Sequence, residues 1–125
     1  MSKSPIILAV DTKDLETAKK WIEATNKSIH TYKFGLEFYL KFGAAGIKQL
    51  KQVGDFEIFL DLKLHDIPNT VAAAVSSVAE LAPKFLTIHA SGGAAMIKAA
   101  SEAAPMISIT AVTILTSLSD LDLSE

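Results

Sequence analysis

The sequence contains no cysteine and no arginine; all twelve of its cationic side chains are lysines. Without cysteine there is no disulfide framework, no thiolate nucleophile and no cysteine-ligated metal. Without arginine the chain lacks the usual bidentate clamp for a phosphate or carboxylate. Charge of neither sign dominates. The formal net charge of −2 gives no basic surface for nucleic acid, and no run of like charge marks an interaction tail. Low-complexity tracts and linkers are missing as well. The apolar run near the start, Ile6 to Val10, meets Asp11 at once. It is too short to span a membrane and no small-residue cleavage site follows it, so a cytoplasmic protein with no membrane partner is expected.

What remains is ordinary globular composition. Half of the 125 residues are apolar and 21% are charged, enough for one domain with a real core. Apolar stretches of strand length alternate with amphipathic stretches of helix length. Strands are expected at Pro5 to Val10, Ile29 to Phe34, Glu57 to Leu62, Phe85 to His89 and Ile107 to Leu115. Helices are expected at Asp14 to Ala24, Ala44 to Val53 (stopped by Gly54), Pro68 to Leu81 and Gly93 to Ala103. The order βαβαβαβαβ implies a parallel sheet with right-handed crossovers. Units of this length fit either a doubly wound sheet or a TIM barrel, and periodicity does not separate the two.

Ionisable residues gather at the strand ends. Asp11 ends the first strand, Lys33 the second, Asp61 and Lys63 the third, and His89 the fourth, the edge where α/β enzymes place their chemistry. Asp61 and Lys63 are two apart on one strand and therefore share a face. Each residue alone has a plainer reading. Asp11 can be a solvated loop start, and Asp66 can cap the helix entering at Pro68, with Asn69 and Thr70 as first-turn residues. His89 before Ser91-Gly92-Gly93 reads as a satisfied structural histidine, and His30 as a surface one. Lys41, Lys48, Lys51 and Lys98 belong to solvated helix faces, and Phe34, Phe38, Tyr39 and Phe42 to packing. Together the strand ends are harder to dismiss. An interleaving of Lys33, Asp61, Lys63 and Asp66 would satisfy each charge with an opposite one, as burial requires. Flanking carboxylates also favour the ammonium form of Lys63, which a general acid needs.

The segment Asp61 to Thr70, DLKLHDIPNT, resembles the signature of orotidine 5'-phosphate decarboxylases: Asp-x-Lys-x-x-Asp followed by Ile-Pro-Asn-Thr. LAVD ending at Asp11, YKFG at Tyr32 to Gly35, HASGG at His89 to Gly93 and AVTILTS at Ala111 to Ser117 resemble further segments of that family, in the same order. The resemblance covers essentially the whole chain. It implies the N-terminal five βα-type units of a TIM (β/α)8 barrel, with residues 1–125 as a partial barrel domain. It implies decarboxylation of orotidine 5'-phosphate to UMP in pyrimidine biosynthesis, without metal or organic cofactor. Lys63 resembles the proton donor, Asp61 the group beside the departing carboxylate, and Lys33 a ribose contact that supports the charge network. Asp11 resembles a ribose hydroxyl ligand, and Thr116 the residue that reads the pyrimidine edge. Asp66 and Thr70 resemble residues that reach a neighbouring subunit's site, so a homodimer with shared sites is implied.

The family's phosphate-gripping loops, with a Gly-Arg pair and a lid, belong to barrel strands six to eight, and nothing here matches them. This piece is therefore expected to be weak or inactive alone and to expose two sheet edges. Three rival readings remain: a Mg²⁺-dependent sugar-phosphate enzyme akin to hexulose-phosphate synthases, a Schiff-base aldolase using a strand-end lysine, and a folded fragment without turnover.

Overall fold

The computed structural model of the chain describes residues 4–125. Strands and helices alternate throughout: β1 (Ile7–Ala9), α1 (Leu15–Thr25), β2 (Thr31–Gly35), α2 (Leu36–Leu50), β3 (Glu57–Leu64), α3 (Pro68–Val78), β4 (Phe85–His89), α4 (Ala94–Ala103) and β5 (Ser108–Val112). Single 3-10 turns, Ala79–Leu81 and Ala90–Gly92, follow α3 and β4.

The five strands pair in parallel in the order β1-β2-β3-β4-β5. That order removes the ambiguity left by periodicity. A doubly wound sheet reverses at a switch point, whereas here each new strand adds on the same side, as in a barrel wall. Alternation along the strands assigns the two faces. Tyr32, Phe34, Ile58, Leu60, Leu86 and Ile88 are buried in one core with Ala18, Ile22, Ile47, Val71, Val75 and Met96 of the helices. The alternate residues Lys33, Phe59, Asp61 and Thr87 line a cavity on the other face.

Several elements depart from the sequence expectation. β1 and β5 are shorter than expected, and α2 begins at Leu36, directly after β2, instead of at Ala44. Its first segment is held by aromatic packing, with ring centroids 5.1 Å apart for Phe34–Phe38 and 4.9 Å for Phe38–Phe42. Gly43 then breaks the helix at φ 64°, ψ −166°, a conformation that is essentially glycine's alone. Gly54 is not the stop for this helix. The last turn unwinds earlier, where Gln52 N–H donates to Gln49 and Val53 N–H to Leu50. A Cβ at Gly54 would lie 3.0 Å from Asn26 Nδ2, so close approach accounts for that glycine. The sequence reading placed no element after β5, yet a short helix α5 (Asp120–Ser124) forms there, held by a capping box between Ser119 and Asp122.

One irregularity bears on the site. Leu60 of β3 pairs with Leu86 of β4, but the next matched pair is Leu64 with Ile88. Residues 61–63 of β3 thus lie opposite the single residue Thr87, a bulge of the kind found beside active sites. Within it Lys63 takes a left-handed backbone with φ 47°, which costs a non-glycine residue about 1–2 kcal/mol.

Candidate active site

The centre of the site is the Asp61 carboxylate on the inner face of β3. Lys63 Nζ donates to both of its oxygens at 2.8 Å. Thr87 Oγ1 donates to Oδ1 at 2.8 Å, and Lys33 Nζ of β2 stands 3.7 Å from Oδ2. Two ammonium groups and one hydroxyl therefore converge on a side chain that is only 13% exposed. Burial works to raise the Asp61 pKa. The hydrogen bonds from Lys63 and Thr87, with the charges of Lys63 and Lys33, outweigh it and hold the carboxyl below its ordinary value. The backbone N–H of Lys63 donates to Thr87 Oγ1 at 2.9 Å.

The cluster opens into a cavity of about 560 Å³, within the range typical of small-molecule sites. Lys33, Asp61, Lys63 and Thr87 line it together with Leu115 and Thr116 of the loop after β5. Among the described residues no group of three or more potential ligands stands close enough to hold a metal ion. No helix there is long and apolar enough to cross a membrane.

The expected site residues are thus only partly brought together. Lys33, Asp61, Lys63 and Thr116 share one cavity. Asp11, two residues past the end of β1, lies in a separate cavity of about 250 Å³ with Gly35 and Glu37. Within this chain Asp66 does not join the interleaved charges: it is exposed and, among the described residues, accepts only the N–H of Ile67, at 2.7 Å. Nor does it cap α3, whose N-cap is Ile67, with no side-chain bond. Strand alternation has ended by residue 66, so its parity with Lys63 is lost. Thr70 is exposed in the first turn of α3. His89 ends β4 with its ring 5.3 Å from that of His65. Thr87 was missed from the sequence. Its signal was a hydroxyl inside the apolar strand Phe85–His89, at a position sharing parity with His89.

Comparison with known proteins bears on the same residues. The model of the Orotidine 5'-phosphate decarboxylase / HUMPS family matches residues 4–125. An orotidine 5'-phosphate decarboxylase of Thermobifida fusca is 53% identical over 117 residues, which is 94% of this chain and 50% of the relative. The solved orotidine 5'-phosphate decarboxylase of Lactobacillus acidophilus is 37% identical with a TM-score of 0.83, over 98% of this chain and 58% of that one. A solved Geobacillus kaustophilus protein, described as uncharacterized and conserved, gives a TM-score of 0.87 at 34% identity, over 97% of this chain and 60% of its own. The chain spans about half the length of the curated relatives it matches. Its sheet is accordingly the first five strands of a TIM (β/α)8 barrel wall. With the match running along all described residues and relatives at this identity, the chain belongs to the Orotidine 5'-phosphate decarboxylase / HUMPS family.

Proposed function

We propose that this chain carries the reacting part of an orotidine 5'-phosphate decarboxylase, converting orotidine 5'-phosphate to UMP and CO₂ with Lys63 as proton donor and no cofactor. The observation that carries this reading is the Lys63 ammonium held on the Asp61 carboxylate, inside a cavity at the C-terminal edge of the sheet. When the pyrimidine C–CO₂⁻ bond breaks, its electron pair stays on the ring carbon, and the Lys63 ammonium delivers the proton that replaces CO₂. A fixed cation beside that carbon stabilises the developing carbanion as it forms. Lys33 supports the charge network and contacts the ribose, Asp11 binds a ribose hydroxyl, and Thr116 reads the pyrimidine edge.

Asp66 and Thr70 act on the neighbouring subunit's site in a homodimer, a role supported by their exposure. Residues 1–125 act as one partial-barrel domain; the phosphate grip belongs to the half of the curated relatives that this chain does not match, so this chain alone is weak or inactive.

The test is UMP formation from orotidine 5'-phosphate by the purified chain, alone and mixed with the C-terminal half of the Thermobifida fusca relative. Turnover should be slight alone, rise in the mixture, and fall about 10²- to 10⁴-fold with Lys63→Ala. Turnover indifferent to that substitution would remove Lys63 as donor, and an inactive mixture would remove the reading.

A further inference from the structure

The bulge gives one residue of β4 an unusual position. Residues 61–63 of β3 have only Thr87 opposite them, so the regular ladder supplies no backbone partner for the Lys63 amide there. A partly buried N–H left in that state would cost free energy. The Thr87 hydroxyl takes the place of the ladder, accepting the Lys63 N–H at 2.9 Å while donating its own hydrogen to Asp61 Oδ1 at 2.8 Å. Thr87 is itself 3% exposed. A hydroxyl has one donor and free lone pairs, so it can serve both groups at once; Val or Ala can serve neither. The same atom therefore ties the left-handed backbone that carries the ammonium to the carboxylate that receives it.

We infer that Thr87 is the positioning residue of this site: its hydroxyl locks the Lys63 backbone and the Asp61 carboxylate into one unit and so sets where the Lys63 ammonium meets a substrate. The lock rests on geometry alone; its meaning for proton delivery rests on the decarboxylase reading. Thr87 acts through its two partners.

The experiment compares the full 125-residue chain with Thr87→Val, which keeps the shape and loses the hydroxyl, and with Thr87→Ser, which keeps the hydroxyl. Two NMR readouts are taken: hydrogen exchange of the Lys63 amide, and the titration of the Asp61 carboxyl carbon. In Thr87→Val the Lys63 amide should exchange about tenfold faster, and the Asp61 midpoint should move up toward the ordinary carboxylate value. The amides of Leu60 and Leu86 should stay protected, and Thr87→Ser should restore both readouts. Unmoved readouts in Thr87→Val would overturn the inference. So would a Thr87→Ser that behaves like Thr87→Val, or a uniform loss of protection across the sheet. None of these depends on turnover. If the complemented mixture formed no UMP, the decarboxylase reading would fall while the readouts at Thr87 still stood. Where the complemented mixture turns over, Thr87→Val should lower kcat and leave KM nearly unchanged.

Discussion

Asp61 binds its partners best when ionised, which makes the site a source of pH-dependent stability. Its carboxyl titrates below the ordinary 3.8 in the folded chain. A depressed folded value means the contribution is present above the unfolded pKa and is lost as pH falls through the folded one. Asp61→Asn should therefore be less stable than the parent at neutral pH, and urea titrations should show that gap closing below about pH 4. A gap constant from neutral pH to pH 2 would detach the stability from ionisation. The strain at Lys63 can be read separately. Lys63→Gly and Lys63→Ala both lose the ion pair, but glycine tolerates φ 47°, so the glycine variant should unfold about 1 kcal/mol harder. Asp61 and Lys63 were legible in the sequence because a charged pair at the end of an apolar strand is chemically conspicuous. Thr87 was not, because a lone hydroxyl amid Phe85, Leu86 and Ile88 reads as a tolerated core residue until the strand opposite is known. Within this one chain Asp66 stands apart from them for a related reason: alternation carries a side chain's direction only as far as the strand extends.

At the scale of elements, α2 shows how one residue can hide a helix. Its two segments meet at Gly43, and nothing lies within 4 Å of where a Cβ would project there. Gly43→Ala should thus cost about 1–3 kcal/mol through backbone strain alone. The midpoint of urea unfolding checks this, and an unchanged midpoint would mean the kink relaxes freely. In the sequence the first segment, Leu36 to Phe42, is only seven residues long before Gly43, and the exposed Leu36 and Leu40 blur the stripe of Phe38, Tyr39 and Phe42. Contacts of Phe38 with Phe34 of β2 decide its helicity. Periodicity recovered only the second segment, where Ile47 and Leu50 turn inward. The later helices were legible because Val71, Val75 and Val78 in α3, and Met96 and Ala100 in α4, repeat at helical spacing.

For the whole molecule, strand order is what local pattern could not supply. Alternation says which face each residue takes, not which strand lies beside which, and the sequential order came from the structure and from the family resemblance. That order leaves β1 and β5 each with one unpaired edge among the described residues. Exposed apolar side chains lie nearby, Ile6 and Ile7 beside the first edge and Ile114 after the second. Such edges template pairing with another chain. Sedimentation velocity should show an average mass that rises with concentration. Ala111→Lys, placing a charge at an exposed position of β5, should reduce that rise. A mass independent of concentration in the parent would mean that its edges are protected.

The surplus residues of β3 have a last consequence, for misfolding. A slip of one residue between neighbouring strands is forbidden outright, because it would turn the apolar face to water. A slip of two keeps that alternation, and hydrophobic patterning alone does not oppose it. Sliding β3 by two against β4 would take Asp61 and Lys63 away from the one hydroxyl that satisfies both. The irregular stretch thus acts as an anchor point for the strand, and the residues proposed to serve catalysis also guard the chain against its most tempting wrong alignment.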